Sequence, residues 1–136
     1  MRAARMGFPR IVLGLTALIY AGFGAAFLVA PIPMAASVGI ELPEPSAVID
    51  FRATYGGFEI GLAAFLAWCL AAPGRTRAGL LASALTIAGF AVTRLIGVAF
   101  GGPVRQAMYV ALALEVSGVV LTSAALWQLA SKEERT

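Results

Sequence analysis

Apolar residues run along this chain in four long blocks instead of alternating with polar ones. Residues 11–30, 48–72, 78–100 and 105–130 each reach or exceed the ~20 residues that a helix needs to cross a ~30 Å hydrocarbon layer. The breaks between them are chemically distinct. Pro31 and Pro33 end the first block, because proline disfavours helix in the residue before it. A polar, proline-rich loop then carries Glu41, Pro43, Glu44 and Pro45, with residues 34–40 forming a short turn on the membrane surface. Pro73, Gly74, Arg75, Thr76 and Arg77 form a basic turn, and Gly101, Gly102 and Pro103 a tight one. The pattern predicts an all-α, four-helix transmembrane bundle, with residues 1–136 as one integral membrane domain.

Composition agrees. The chain is 60% hydrophobic and 12% charged, whereas an ordinary soluble domain is about 45–50% apolar and about 25% charged. A fold of 136 residues has no interior large enough for that much apolar surface, so its solvent is the lipid bilayer.

Basic residues orient the spans. Arg2, Arg5 and Arg10 precede the first, Arg75 and Arg77 lie between the second and third, and Lys132 and Arg135 follow the fourth. Four crossings put all seven on one side, and leave Arg52 and Arg105 for the other. The positive-inside rule then places both N and C termini in the cytoplasm of a multi-pass protein of the cell's inner (plasma) membrane. The net charge of +3 comes from residues flanking spans and not from a solvated patch, which argues against nucleic acid as a partner. The first span also has the basic start and apolar centre of a signal peptide, with small residues at Ala35 and Ala36. Its apolar stretch exceeds the usual ~7–15 residues, and the following proline suits processing poorly, so it reads as a retained span.

Cys69 is the one cysteine and there is no histidine. The ligand sets of zinc, haem and iron–sulfur sites are therefore missing, and the sequence names no cofactor. Walker, dinucleotide-binding, hydrolase-elbow and HExxH patterns are absent too.

The informative chemistry is charge inside the apolar blocks. Charge at membrane depth is costly and faces a protein interior or an aqueous cavity. Glu59 lies roughly 16 Å from the outer edge of its span, Glu115 roughly 15 Å and Arg94 roughly 9 Å, at about 1.5 Å per residue. The two carboxylates therefore share a level, with the guanidinium within reach above them. Arg52, Tyr55, Gly56 and Glu59 follow the i, i+3, i+4, i+7 rule and fall on one helix face. Ser83, Phe90, Arg94 and Gly97 form a stripe on the third span; Met108, Ala111, Glu115, Gly118 and Thr122 form one on the fourth. The candidate pocket is thus Arg52, Tyr55, Glu59, Arg94 and Glu115, open outward near Asp50. Three acids against two arginines imply that the glutamates share one negative charge as a coupled pair. The plainer reading is structural: a buried ion pair fixes helix register and does no chemistry, or Arg94 snorkels to the interface and meets neither acid.

Gly57 and Gly61, and Gly97 and Gly101, are spaced as GxxxG pairs, expected first to pack helices within the chain and second to join copies of it. Trp68 and Trp127 fit interfacial anchors, and Cys69 a small packing residue.

The stretch Phe51-Arg52-Ala53-Thr54-Tyr55-Gly56-Gly57-Phe58-Glu59-Ile60-Gly61-Leu62 resembles the signature of a family of small four-helix bacterial membrane proteins known only as a domain of unknown function. Thr93-Arg94-Leu95-Ile96-Gly97, the Gly101-Gly102-Pro103 turn and Leu114-Glu115 are similar to its later segments. Gly101 stands where that family usually carries an acid. The architecture also resembles the wider DoxX-like group, some of which accompany membrane redox enzymes. The resemblance implies the same five residues and no reaction. Three functions follow as expectations: a binding or accessory subunit, alone, as a homo-oligomer or in a larger membrane complex, holding a small lipophilic or anionic molecule; an isomerase-like enzyme using a glutamate acid–base pair; or a proton-coupled oligomeric transporter.

Overall fold

The structure, a computed structural model, describes residues 7–133. The topology signals at Arg2, Arg5 and Arg135 lie outside the described residues. Helix α1 spans Phe8–Val29, α2 Pro31–Ser37, α3 Pro45–Phe51, α4 Phe58–Leu70, α5 Thr76–Phe100 and α6 Gln106–Glu133. A π-helical segment, Arg52–Gly57, joins α3 to α4 without interrupting the span. Four helical stretches, Phe8–Val29, Pro45–Leu70, Pro73–Phe100 and Gln106–Lys132, are long and apolar enough to cross a membrane. The protein is a multi-pass, all-α membrane bundle.

Proline opens the helices more than it closes them. Pro9, Pro31 and Pro45 all sit in a first turn, where the missing N–H has no intrahelical partner to lose. Hence α1 and α3 begin about one turn earlier than hydrophobicity alone indicates. Instead of a surface turn over 34–40, Pro31 starts the short helix α2. That helix ends with Ile40 N–H donating to Ala35 O and Gly39 N–H to Ala36 O, with Gly39 at φ +86°. This is the Schellman closure, which needs a left-handed residue. Arg105, at the start of the fourth span, donates from Nη1 to Ala36 O at 3.2 Å and ties this loop to the α5–α6 connection.

The bundle is built around α1, which packs against α4, α5, α6 and the π segment, while α5 and α6 form the other close pair. Between α1 and the second span, glycine sets the separation. A Cβ on Gly24 would stand 3.0 Å from the Ile60 backbone nitrogen, and one on Gly56 would stand 2.7 Å from Leu28 Cδ2. On α5, a Cβ at Gly79 would lie 2.8 Å from both Cys69 Cβ and Leu13 Cδ1. Around that contact, Leu13, Leu66, Cys69, Leu80 and Ala125 are fully buried. Away from these seams large apolar side chains point outward, Leu18 at 70% exposure, Leu85 at 72% and Phe100 at 86%. Such a surface suits lipid and would aggregate in water.

The GxxxG expectation needs correcting. Gly57 and Gly61 are exposed; a Cβ at Gly61 would meet nothing within 4 Å, and one at Gly57 only its own helix. Gly97 is equally open. Glycines that do pack helices within the chain are Gly24, Gly56, Gly79 and Gly118, none of which forms a GxxxG pair. Trp68 lies beneath the Arg75 guanidinium, 3.9 Å from centroid to carbon, and Trp127 is exposed, both near helix ends.

Gly24→Val should therefore lower stability by about 1–3 kcal/mol, since the obstruction includes backbone and the core is already close-packed. Gly61→Val should change it by less than about 0.5 kcal/mol. Thermal unfolding of both variants in the same detergent checks the contrast.

Candidate functional site

Arg94 on α5 and Glu115 on α6 meet side by side. Arg94 Nε donates to Glu115 Oε1 at 3.0 Å and Oε2 at 2.9 Å, and Nη2 donates to Oε1 at 2.7 Å. Arg94 Nη1 approaches Met108 Sδ at 3.4 Å. Their side chains are 27% and 13% exposed. The antiparallel course of α5 and α6 makes this meeting possible. Helical side chains lean toward their own N-terminus, so Arg94 reaches down α5 while Glu115 reaches up α6.

Helix register sets the heights of the other groups. Gly24 stands against Ile60, Leu13 against Gly79, and Gly118 against Ile87. Counting along roughly parallel rods from these contacts, Glu59 and Glu115 both fall opposite Gly24, to within about one turn. They do not join one cluster. The α4 and α6 helices have no extended packing between them, and Arg94 is bonded to Glu115 alone of the two acids. Glu59 is half-buried, and its Oε2 is sealed from solvent without a hydrogen-bond partner among the described residues.

The π segment decides the other two candidates. It adds a residue to the turn, and the ideal-helix face of Arg52, Tyr55, Gly56 and Glu59 breaks up. Gly56 turns inward against Leu28, while Arg52 and Tyr55 are exposed. Arg52 makes no ion pair or hydrogen bond among the described residues. Tyr55 stacks on Phe51 at 4.5 Å and packs against Phe27 at 5.7 Å, extending an aromatic run from Phe23, yet it remains within electrostatic reach of Arg94. The structure thus joins Arg94 to Glu115, keeps Tyr55 nearby, sets Glu59 at the same height on another helix, and leaves Arg52 aside.

Sequence reasoning missed Tyr20. Only 7% exposed, it lies within electrostatic reach of both Glu59 and Glu115. Its signal was the four-residue spacing of Val12, Thr16, Tyr20 and Gly24, all buried along one face of α1. Below Tyr20, Thr16, Ser83 and Thr122 form a level of buried hydroxyls, each donating to its own helix one turn back, at Val12, Gly79 and Gly118.

Beside Arg94 runs an open groove of about 700 Å³, walled by Gly89, Phe90, Thr93, Gly97, Val104 and Met108 among others. Its wall is mainly apolar. The polar feature is the edge of the guanidinium. Of the five N–H groups of an arginine, Glu115 takes Nε–H and one on Nη2, and Met108 faces one on Nη1. One N–H on each Nη is left. The carboxylate balances the charge of the guanidinium that borders the groove.

Truncating one partner should cost more than removing both. Arg94→Met leaves Glu115 unanswered and should destabilise toward the lower end of about 3–5 kcal/mol, since the pair is partly exposed; Arg94→Met with Glu115→Leu should recover most of it. Unfolding of the four members of this cycle in detergent measures the difference.

A family model for a domain of unknown function matches residues 8–126, from the first turn of α1 into the last span, and so takes in all five candidate residues and Tyr20. No curated protein and no solved structure matches the chain. The family match covers most of the sequence, and the chain belongs to the family described as Domain of unknown function (DUF4345).

Proposed function

We propose that the protein binds a lipophilic molecule bearing a carbonyl or similar acceptor oxygen, held in the groove beside Arg94, and serves as a binding or accessory subunit in the inner membrane. The observation that carries this reading is the Arg94–Glu115 pair at the edge of the groove. Because Glu115 neutralises Arg94, the remaining N–H pair favours a neutral oxygen over a full anion. A pair of N–H donors set in an apolar wall gives orientation, and the wall supplies affinity. Thr93 adds no free donor, since its hydroxyl is bonded to Gly89 O at 2.8 Å. The positive-inside rule places the basic turn at Arg75 and Arg77 in the cytoplasm, so the mouth near Val104 faces the outer leaflet. The outward face of Gly57 and Gly61 is the surface best suited to pairing copies.

A second reading, acid–base chemistry on a lipid-soluble substrate, draws on Glu59. Its unbonded, sealed carboxyl oxygen beside Tyr20 resembles a group kept for proton exchange more than helix glue.

Native mass spectrometry from mild detergent tests both. The wild type should release with a retained small molecule whose mass also identifies it, and the same spectra count subunits. Arg94→Met should lose the molecule. Gly89→Leu, which adds bulk to the groove wall at a position where a Cβ meets nothing within 4 Å, should lose it as well. Glu59→Gln should keep it under the binding reading; turnover of the identified molecule that vanishes in Glu59→Gln would favour the enzyme. A wild type that carries nothing, or a Gly89→Leu variant that carries as much as the wild type, would overturn the groove assignment.

A further inference from the structure

At the end of the bundle where α1 begins and α6 ends, three polar atoms are closed in without partners. Arg10 Nε, Thr76 Oγ1 and Gln128 Oε1 are each out of contact with solvent and lack a hydrogen bond among the described residues. They come from three helices and share one height. Leu13 stands against Gly79 on the parallel helices α1 and α5; Arg10 and Thr76 each lie one turn before those residues. Ile87 stands against Gly118 on the antiparallel pair; equal steps from there bring Gln128 level with Arg77, the neighbour of Thr76. The fourth helix closes the ring through its last residue, as Arg10 Nη2 donates to Leu70 O at 2.8 Å.

This layer differs from the other buried hydroxyls of the bundle. Thr16, Ser83 and Thr122 are each bonded to their own backbone. Thr76, 3% exposed, opens α5 and has no helical carbonyl one turn back to donate to. Buried polar groups nearly always find a partner, and one that does not bears its full desolvation cost. Three such costs fall at one height of the bundle. What opposes them is the Arg10–Leu70 hydrogen bond and the small-residue contact of Gly79 with Cys69 and Leu13. Parting α1 from α5 at that contact would open the level at which these atoms lie, Arg10 and Thr76 first. Directly beyond it lie Leu13, Cys69, Leu80 and Ala125, all fully buried, then the hydroxyl level, then Tyr20 and the two carboxylates.

We propose that this layer is a gate: the terminal end of the bundle opens at the Leu13–Gly79 contact and admits water toward the hydroxyl level, giving the carboxylates an approach opposite to the Arg94 groove. The gate extends the proposed site by a second entrance, and rests on that reading only in taking the carboxylate level as the destination. Its closed form is held in balance, since the contacts that shut it also strand polar atoms.

The chain carries its own reporter. Cys69 is the one cysteine, fully buried, and packed on Gly79 at the Leu13–Gly79 contact. Labelling of the wild-type protein in detergent by a small water-soluble maleimide, well below the unfolding temperature, should proceed at a measurable rate. Thr76→Val with Gln128→Leu removes two stranded atoms and should slow labelling by at least about tenfold. Arg10→Gln cuts the tie to Leu70 and should speed it. If the double variant does not fold, Thr76→Val alone is read in the same way. A wild-type thiol that reacts only once the protein unfolds would overturn the gate, as would a rate in the double variant equal to or above that of the wild type. Cys69 labelling needs no molecule in the groove, so slowed labelling in a protein that retains no small molecule would keep the gate and sink the binding reading. The opposite pattern would do the reverse.

Discussion

In a hydrocarbon solvent each polar group must be answered inside the protein or carried to an interface, and this constraint shapes the whole bundle. Apolar residues need no large interior here, so most of the large ones face outward and only a few, such as Leu13, Leu66 and Leu80, are buried with small and polar side chains. Arg94 is answered by Glu115 through three N–H···O contacts. Ser83, Thr16, Thr122, Ser117 and Thr93 are answered by their own helices one turn back. Against that background the unanswered groups stand out among the described residues: Glu59 at mid-depth, and Arg10, Thr76 and Gln128 near the terminal end.

Close approach of backbones takes the place of a large hydrophobic core. Without a hydrophobic force between helices in lipid, association rests on packing and polar contacts. Gly24 and Gly56 bring α1 against the second span, and Gly79 brings α5 against both α1 and α4. The π segment belongs to the same device. Its extra residue turns Gly56 inward beside Leu28 and stacks Tyr55 on Phe51. Segments of this kind recur where a protein needs a side chain off its regular face, and here the displaced residue, Tyr55, packs on Phe51 and Phe27.

Under the proposed function, the ion pair makes the groove selective for a neutral acceptor. An isolated arginine at this depth would attract any anion; one clamped by a carboxylate presents direction without net charge. The groove and the terminal layer lie at opposite ends of the same polar column, with Tyr20 and the carboxylates between them.

Much of this was legible in the sequence, because membrane crossing is imposed residue by residue. Length and hydrophobicity alone required four helices, and the rarity of charge in apolar blocks singled out Arg94, Glu115 and Glu59. The stripe through Met108, Glu115 and Thr122 could be read because an uninterrupted α-helix repeats every 3.6 residues. Three-dimensional packing decided the rest. The π segment shifted the face on which Arg52 and Tyr55 had been placed, a change that only the fit of Gly56 against Leu28 explains. Gly57 and Gly61 have the spacing of a packing motif, but spacing does not say which face meets a neighbour. Above all, one carboxylate received the guanidinium and the other did not. Glu59 and Glu115 are equal in composition, depth and surroundings along the chain; they differ because α5 packs against α6 along its length, while α4 gives its closest contact to α1.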